Sequence, residues 1–469
     1  MKIKLLSVAA LLFTSVVTFS QKSAATLRLE GYGSALSCPG PTIPTTNPDW
    51  NLEFEVSNLT GDLAPNDYYT RRDPSSVLKV NGKYYVWYSY SLSNGAGKIS
   101  PWDLNDLYYA TSLDGFNWTE QGAAITRGPA GSYDHRSAFT TEVFYHDNMF
   151  YLIYQASDTQ ANLNTNNTIA MAYSSSPDGP WTKLDNPVLY PSYQDGAFDR
   201  NAVHDPCIIY YNNKFYMYFK GEGGQANNVC SAGTGIWGDY DKQVKWGVAV
   251  ADNVTGPYVK SASNPVTNTG HEVCVWNSGN GVGIMLHQDG PEYGTTQYAS
   301  DGINFEIMGQ VDFPLKEPWN STYPEAPGLY RPVTDDTSPV TGVSWGLSHV
   351  LNWTGTYGQW MYIRRFENKD KTAIVDDSGN QGIVTSPLST NSSENIDIKL
   401  YPNPVTDKLT ISGFDRGDLS VFDITGALVL STKIEANNSV IDLSQLANGL
   451  YVLNFVDGNK TQTIRIIKE

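Results

Sequence analysis

Positive charge is scarce in this chain. Its 469 residues carry 31 Lys and Arg against 48 Asp and Glu, a formal net charge of −17. Such a field repels phosphate backbones and anionic lipid surfaces, which argues against nucleic acid as a partner. It also disfavours a heavily sulfated polymer as substrate. Cysteine is sparse too: Cys38, Cys207, Cys230 and Cys274 are the whole set. Four in an exported chain of this length are too few for a disulfide framework, although one bridge fits the count, and their scattered spacing does not suggest zinc. Long apolar runs are lacking beyond the N-terminus. None approaches the ~20 residues of a transmembrane helix, so membrane insertion is not expected.

What the chain has instead is aromatic residues and turn formers, including 30 Tyr, 12 Trp and 41 Gly. That mixture suits many short strands joined by tight turns. The first twenty residues, with Lys2 and Lys4 before an apolar stretch, read as a secretory signal peptide. Residues 21–50 form an arm, and 383–397, rich in Ser, Thr and Asn, read as a linker. From 398 to 469, short alternating segments with frequent turn signals predict a small β-sandwich.

Between these lie residues 51–382, which contain a degenerate repeat. "DPSSVLKVNGKYYVWYSY", "TEVFYHDNMFYLIYQA" and "DPCIIYYNNKFYMYFKG" each give a polar start, a strand, a two-residue turn and a Tyr-rich strand. A second strand pair follows each time. A fourth unit starts at "HEVCVW" and a fifth runs through "SWGLSHV" and "QWMYIRRF". Four short strands recurring every roughly 65 residues predict the blades of a five-bladed β-propeller. The fold class expected is therefore all-β, a propeller followed by a sandwich.

The polar residue that opens each unit points to function. Asp73, Glu142, Asp205, and His271 with Glu272 open the first four units. First strands of successive blades converge on the propeller axis, so these groups are expected to form one ring. Carboxylates that close raise one another's pKa, which marks a metal site or acid–base chemistry. A funnel lined by Tyr and Trp with two opposed acids suits glycoside hydrolysis. There one group protonates the leaving oxygen and another activates water, with inverting enzymes holding the pair roughly 6.5–9.5 Å apart. In "TNTGHEVCVW", Gly270 permits the backbone to leave strand geometry so that both His271 and Glu272 can contribute. Softer candidates for substrate contact are Thr141, Glu142, Gln155, His204, Arg136 and His349. No cofactor is required by this chemistry, although axial carboxylates could hold a structural divalent cation.

The ordered elements "RRDPSSVLKVNGKYYVWYS", "SAFTTEVFYHDNMFYLIYQA", "HDPCIIYYNNKFYMYFKG", "WGVAVADNVTGPY" and "GHEVCVW", with the late "WGLSHV" and "RRFEN", resemble glycoside hydrolase family 117 over residues 45–370. The resemblance implies an exo-acting hydrolase that releases 3,6-anhydro-L-galactose from neoagarooligosaccharides with inversion. It implies Asp73 as general base, His271 as general acid, and Glu272 and Asp205 as groups that bind sugar and tune the histidine. "SAATLRLEGYG" loosely matches an arm through which family members dimerise, which implies a homodimer. "YPNP", "VFDITGALV" and "LANGLYVLNF" resemble the C-terminal sorting domain of type IX secretion substrates, which implies the secretion machinery as a partner and a secreted or surface location. Two alternatives stay open: a propeller glycosidase of family 43 type, with a Glu as acid, and a non-catalytic glycan-binding propeller.

Overall fold

The computed structural model describes residues 21–32, 41–159, 166–223, 244–287 apart from 269, 292–312, 325–334, 338–370, 380–385, and 398–469 apart from 424–426 and 458–459. The segment expected to be a signal peptide, most of the expected linker, and Cys38 and Cys230 lie outside the described residues. Cys207 and Cys274 are buried free thiols. Two compact units divide the chain, residues 1–384 and 385–469.

In the first unit each blade begins at the axis and runs outward. Blade 1 comprises Val77–Val80, Lys83–Leu92, Asp106–Ser112 and Asn117–Ile125, with Tyr69–Arg72 extending its inner edge. Ser137–His146, Met149–Ser157, Thr168–Ser174 and Thr182–Lys183 form blade 2. Blade 3 is Ala202–Tyr211, Lys214–Glu222, Val244–Ala251 and Val259–Lys260. Glu272–Asn277, Val282–His287, Thr295–Ala299 and Glu306–Asp312 make blade 4. Blade 5 consists of Glu325–Thr334, Trp345–Gly355 and Gly358–Asn368, and takes its outer strand, Leu52–Asn58, from the other end of the repeat. That last pairing, from Phe54 opposite Asn368 to Asn58 opposite Arg364, closes the ring.

The turns follow from residue type. The first hairpins of blades 1, 2 and 3 turn on Asn81-Gly82, Asp147-Asn148 and Asn212-Asn213, with both central residues at positive φ. That geometry belongs to two-residue hairpins, and Asn, Asp and Gly tolerate it. Five apolar clusters then fill the five gaps between neighbouring blades. Trp87, Val143 and Leu152 join blades 1 and 2, and Ile153, Met171 and Phe219 join 2 and 3. Tyr218, Trp246 and Ile284 join 3 and 4. Trp276, Tyr330 and Phe366 join 4 and 5, and Val86, Tyr88 and Trp345 join 5 and 1.

The arm contributes one helix, Ala24–Tyr32, which packs on blade 4 of its own chain. Arg28 donates to Glu292 at 2.7 Å and to the Phe305 carbonyl at 2.5 Å, and Ser23 donates to the Pro265 carbonyl at 2.6 Å. No helix among the described residues is long and apolar enough to cross a membrane.

The second unit packs a three-stranded sheet (Lys399–Tyr401, Lys408–Ser412, Ser439–Asp442) and a four-stranded one (Gly417–Phe422, Leu428–Ile434, Gly449–Asp457, Lys460–Lys468) around Leu409, Ile411, Phe414, Leu419, Leu453 and Phe455.

Candidate active site

The inner strands share one irregularity, and it builds the site. Ladder register slips between Phe139 and Thr141 in blade 2, His204 and Cys207 in blade 3, and Gly328 and Arg331 in blade 5. At the slips Thr140, Asp205 and Leu329 sit at φ +43°, +48° and +44°. Blade 1 breaks its inner strand at Asp73, φ +48°, and blade 4 at Gly270, φ +118°. A bulge kinks a strand and re-aims its side chain. Positive φ at non-glycine residues costs roughly 1 kcal/mol or more each, a strain that gathers at functional sites. Such bends lie on or just before the inner strand of every blade, and Asp73, Thr140 and Asp205 sit on them.

Asp73 is the best held of them. Its Oδ1 lies 2.7 Å from His349 Nδ1, and its Oδ2 accepts from Thr140 Oγ1 at 2.5 Å. Arg72 pairs with the same carboxylate, and its guanidinium lies over Trp102 at 5.4 Å and Phe139 at 5.7 Å. Burial alone would raise the Asp73 pKa, but Arg72, His349 and Thr140 outweigh it and hold the carboxyl well below the usual range. Asp205 is buried against Lys220, with Nζ to Oδ2 at 2.5 Å. Here too burial pushes upward, and Lys220 keeps the net shift downward.

Glu272 behaves oppositely. Burial pushes its carboxyl up to about 8; Asp205 and Asp73 add to the rise, against the pull of Lys220 and Arg72. Among the described residues its Oε2 is buried without a hydrogen-bond partner. Oε1 lies 3.7 Å from Nε2 of His271, whose side chain is 27% exposed. The bend at Gly270, whose carbonyl accepts from Trp246 Nε1 at 2.6 Å, lets two adjacent residues meet on one side of the chain. Gly328 matters by lacking a side chain: a β-carbon there would stand 2.6 Å from His349 Nε2 and 3.1 Å from Glu272 Oε1. His349 thus spans from Asp73 towards Glu272.

His204 is buried, its Nδ1 3.7 Å from Glu222 Oε1. Burial, then Lys220 and His271, hold it down to about 3, so it is neutral.

Three expected placements need correction. Glu142 is not in the ring. It accepts from Ser76 N at 2.9 Å, Ser76 Oγ at 3.1 Å and Val143 N at 2.8 Å, and faces Arg331 at 3.5 Å. The residue in register with Asp73 and Asp205 is Thr140, two positions earlier. Thr141 points its hydroxyl at the Ile153 carbonyl, 3.2 Å away within its own blade. Arg136 is committed to Asp103, at 2.7 and 2.5 Å, and to the Gly97 carbonyl, so it clamps a loop instead of facing the funnel. Gln155 is buried on the second strand of blade 2, opposite Phe139. Arg72 and Lys220 were not singled out from the sequence. The signal for Arg72 was its place beside Asp73, and Lys220 is the cross-strand partner of His204. Among the described residues no group of three or more His, Cys, Asp or Glu is disposed to hold a metal ion. The cationic charge facing Glu142 is Arg331, which also donates to the Pro206 carbonyl at 3.0 Å.

A solved family 117 glycoside hydrolase produced by the marine bacterium Zobellia galactanivorans is 32% identical, with a TM-score of 0.57 over 74% of this chain and 98% of that one. The chain belongs to glycoside hydrolase family 117. This family 117 member also matches, over residues 399–469, the secretion system C-terminal sorting domain, which marks it for export by type IX secretion. Residues 63–231 match the glycosyl hydrolases family 32 N-terminal domain. A GH43_1 enzyme from Xanthomonas citri complexed with xylotriose is 14% identical, at a TM-score of 0.43 over 68% of this chain and 92% of that one. A β-1,2-mannobiose phosphorylase from Thermoanaerobacter sp. (strain X514) is 32% identical over 101 residues, 20% of this chain, and the match spans about a third (32%) of that curated relative.

Proposed function

We propose that this glycoside hydrolase is exo-acting and inverting, and that it releases 3,6-anhydro-L-galactose from the non-reducing end of neoagarooligosaccharides. The observation that carries the reading is the pairing, around one funnel, of an ionised Asp73 with a His271–Glu272 couple on another blade. Asp73 takes a proton from water, whose oxygen attacks the anomeric carbon. The glycosidic C–O bond breaks, and His271 gives its proton to the leaving oxygen. Thr140, His349 and Arg72 fix the Asp73 carboxylate, and Lys220 fixes Asp205. His349 and Arg72 also keep Asp73 charged, as a base must be. Asp205 and Glu272 are assigned to sugar hydroxyls and to tuning the histidine.

One observation favours a second reading. A Glu272 carboxyl with its pKa near 8 holds a proton at neutral pH and could itself be the acid, as in the family 43 alternative. Chromatography of neoagarobiose digests tests the substrate: release of the anhydro sugar is expected, and turnover only of arabinan or xylan fragments, or of nothing, overturns it. Proton NMR of the first-formed anomer tests inversion. His271→Ala is expected to lower kcat by about 10²–10⁴-fold with binding retained. Full activity in His271→Ala with loss in Glu272→Gln would move the acid to Glu272.

A further inference from the structure

A second polar cleft lies outside the funnel, and a buried guanidinium lines it. The cleft encloses about 410 Å³ and is lined by Asp62, Asn66, Tyr69, Arg71 and Glu120, among others. Arg71 is only 6% exposed. Its Nε donates to Glu120 Oε2 at 2.9 Å, an oxygen that also accepts from the Tyr88 hydroxyl at 2.6 Å. Its guanidinium carbon stands 4.6 Å from the centre of the Tyr69 ring. The two Nη groups donate in none of the described hydrogen bonds. With Nε bonded to Glu120 and the Tyr88 hydroxyl close by, the guanidinium still lines the cavity wall and can meet an acceptor that arrives from outside.

The lining selects among acceptors. Asp62 and Glu120 give the cleft two carboxylates against one guanidinium, which disfavours an anion, while Arg71 at the centre disfavours a metal cation. A ligand that accepts from Arg71 and donates to carboxylates through neighbouring hydroxyls satisfies both, and that is the pattern of vicinal hydroxyls on an uncharged sugar ring. Apolar faces are at hand as well. Tyr68 packs edge-on to Tyr69 with centroids 5.0 Å apart, and Tyr357 edge-on to Tyr68 at 5.9 Å. Tyr68 and Tyr357 are 39% and 46% exposed. Their two segments are linked by Thr356, whose amide donates to Asp67 at 2.8 Å.

We propose that this cleft is a second saccharide-binding site, for an uncharged sugar unit with vicinal hydroxyls, on the flank of blade 1. It rests on the chain being a glycoside hydrolase and not on which glycan it cleaves. Tyr69 opens the strand Tyr69–Arg72, which leads directly to Asp73. Four residues of extended chain place Tyr69 roughly 13 Å from Asp73. Alternation sends Tyr69 and Arg71 to one side and Thr70 and Arg72 to the other. One strand therefore carries a partner of the reacting carboxylate on one face and this cleft on the opposite face. Such a site would hold the enzyme on a glycan through a unit other than the one cleaved.

Affinity electrophoresis of the full chain in native gels containing agarose, arabinan, xylan or galactomannan, with carrageenan as the sulfated control, tests the site. At least one neutral polymer is expected to retard the native protein. Asp62→Ala, which removes an acceptor, and Ala64→Trp, which fills the cleft, should each cut that retardation at least fivefold, with circular dichroism and neoagarobiose turnover unchanged. Retardation by no neutral polymer, by carrageenan alone, or undiminished in both variants overturns the proposal. Loss of neoagarobiose turnover by the native protein with retardation intact would sink the substrate assignment and leave this site standing.

Discussion

Asp73 and Glu272 are both buried carboxyls in one funnel, yet their environments drive them apart. Asp73 gains Arg72, His349 and the Thr140 hydroxyl, whereas Glu272 leaves one oxygen without a donor among the described residues. Asp73→Asn should lower turnover by about 10²–10⁴-fold. It should also lower the melting temperature, because removing one partner of a buried pair costs about 3–5 kcal/mol. Steady-state kinetics and a thermal melt read the two effects separately. For Glu272 the sign is reversed. Its folded pKa, near 8, lies above its ordinary value of 4.5, so the unfolded chain ionises first. The carboxyl costs no pH-dependent stability below about 4.5, and costs progressively more as pH rises towards 8. Glu272→Gln should therefore raise the melting temperature relative to the native chain, by a margin that widens across that window. A margin flat in pH would show that Glu272 is ionised throughout.

Among the elements, the bend that opens each inner strand matters more than the strand itself. Gly270 holds φ +118°, and a β-carbon there would meet Val273 Cγ1 at 3.1 Å. Gly270→Ala is expected to cost about 1–3 kcal/mol and to lower kcat more than it changes KM, since His271 is aimed by this residue. Denaturant unfolding and kinetics check it. The arm helix offers an independent case. Arg28 faces the fully buried Glu292, so Arg28→Ala should destabilise blade 4 and speed limited proteolysis near residues 21–32, without a first-order effect on kcat.

At the scale of the whole molecule, the propeller and the sandwich are separate compact units with separate cores. A chain ending at Val384 should keep its melting transition and its turnover on a soluble substrate, and should lose export. Secretion assays beside kinetics on the truncated protein measure both. Turnover that depends on residues 385–469 would mean that the sorting domain contributes to the site.

Much of this was legible in residue order. Repeated Tyr-rich hairpins with Asn-Gly, Asp-Asn and Asn-Asn turns specify blades, because positive φ at two successive positions is tolerated by few residue types. Asp73, Asp205 and the His271–Glu272 pair were legible for the same reason: each opens a unit. Glu142 misled, because the bulge at Thr140 advances the chain and turns Glu142 inward onto Ser76 and Arg331. No local pattern reports that slip. The partners of the carboxylates were equally hidden, since His349 reaches Asp73 from 276 positions further along the chain. The sequence alone determined which groups are present and how many blades carry them. Only closure of the ring decided which carboxyl is held down and which is pushed up, because a pKa depends on burial and on charges brought near by distant strands.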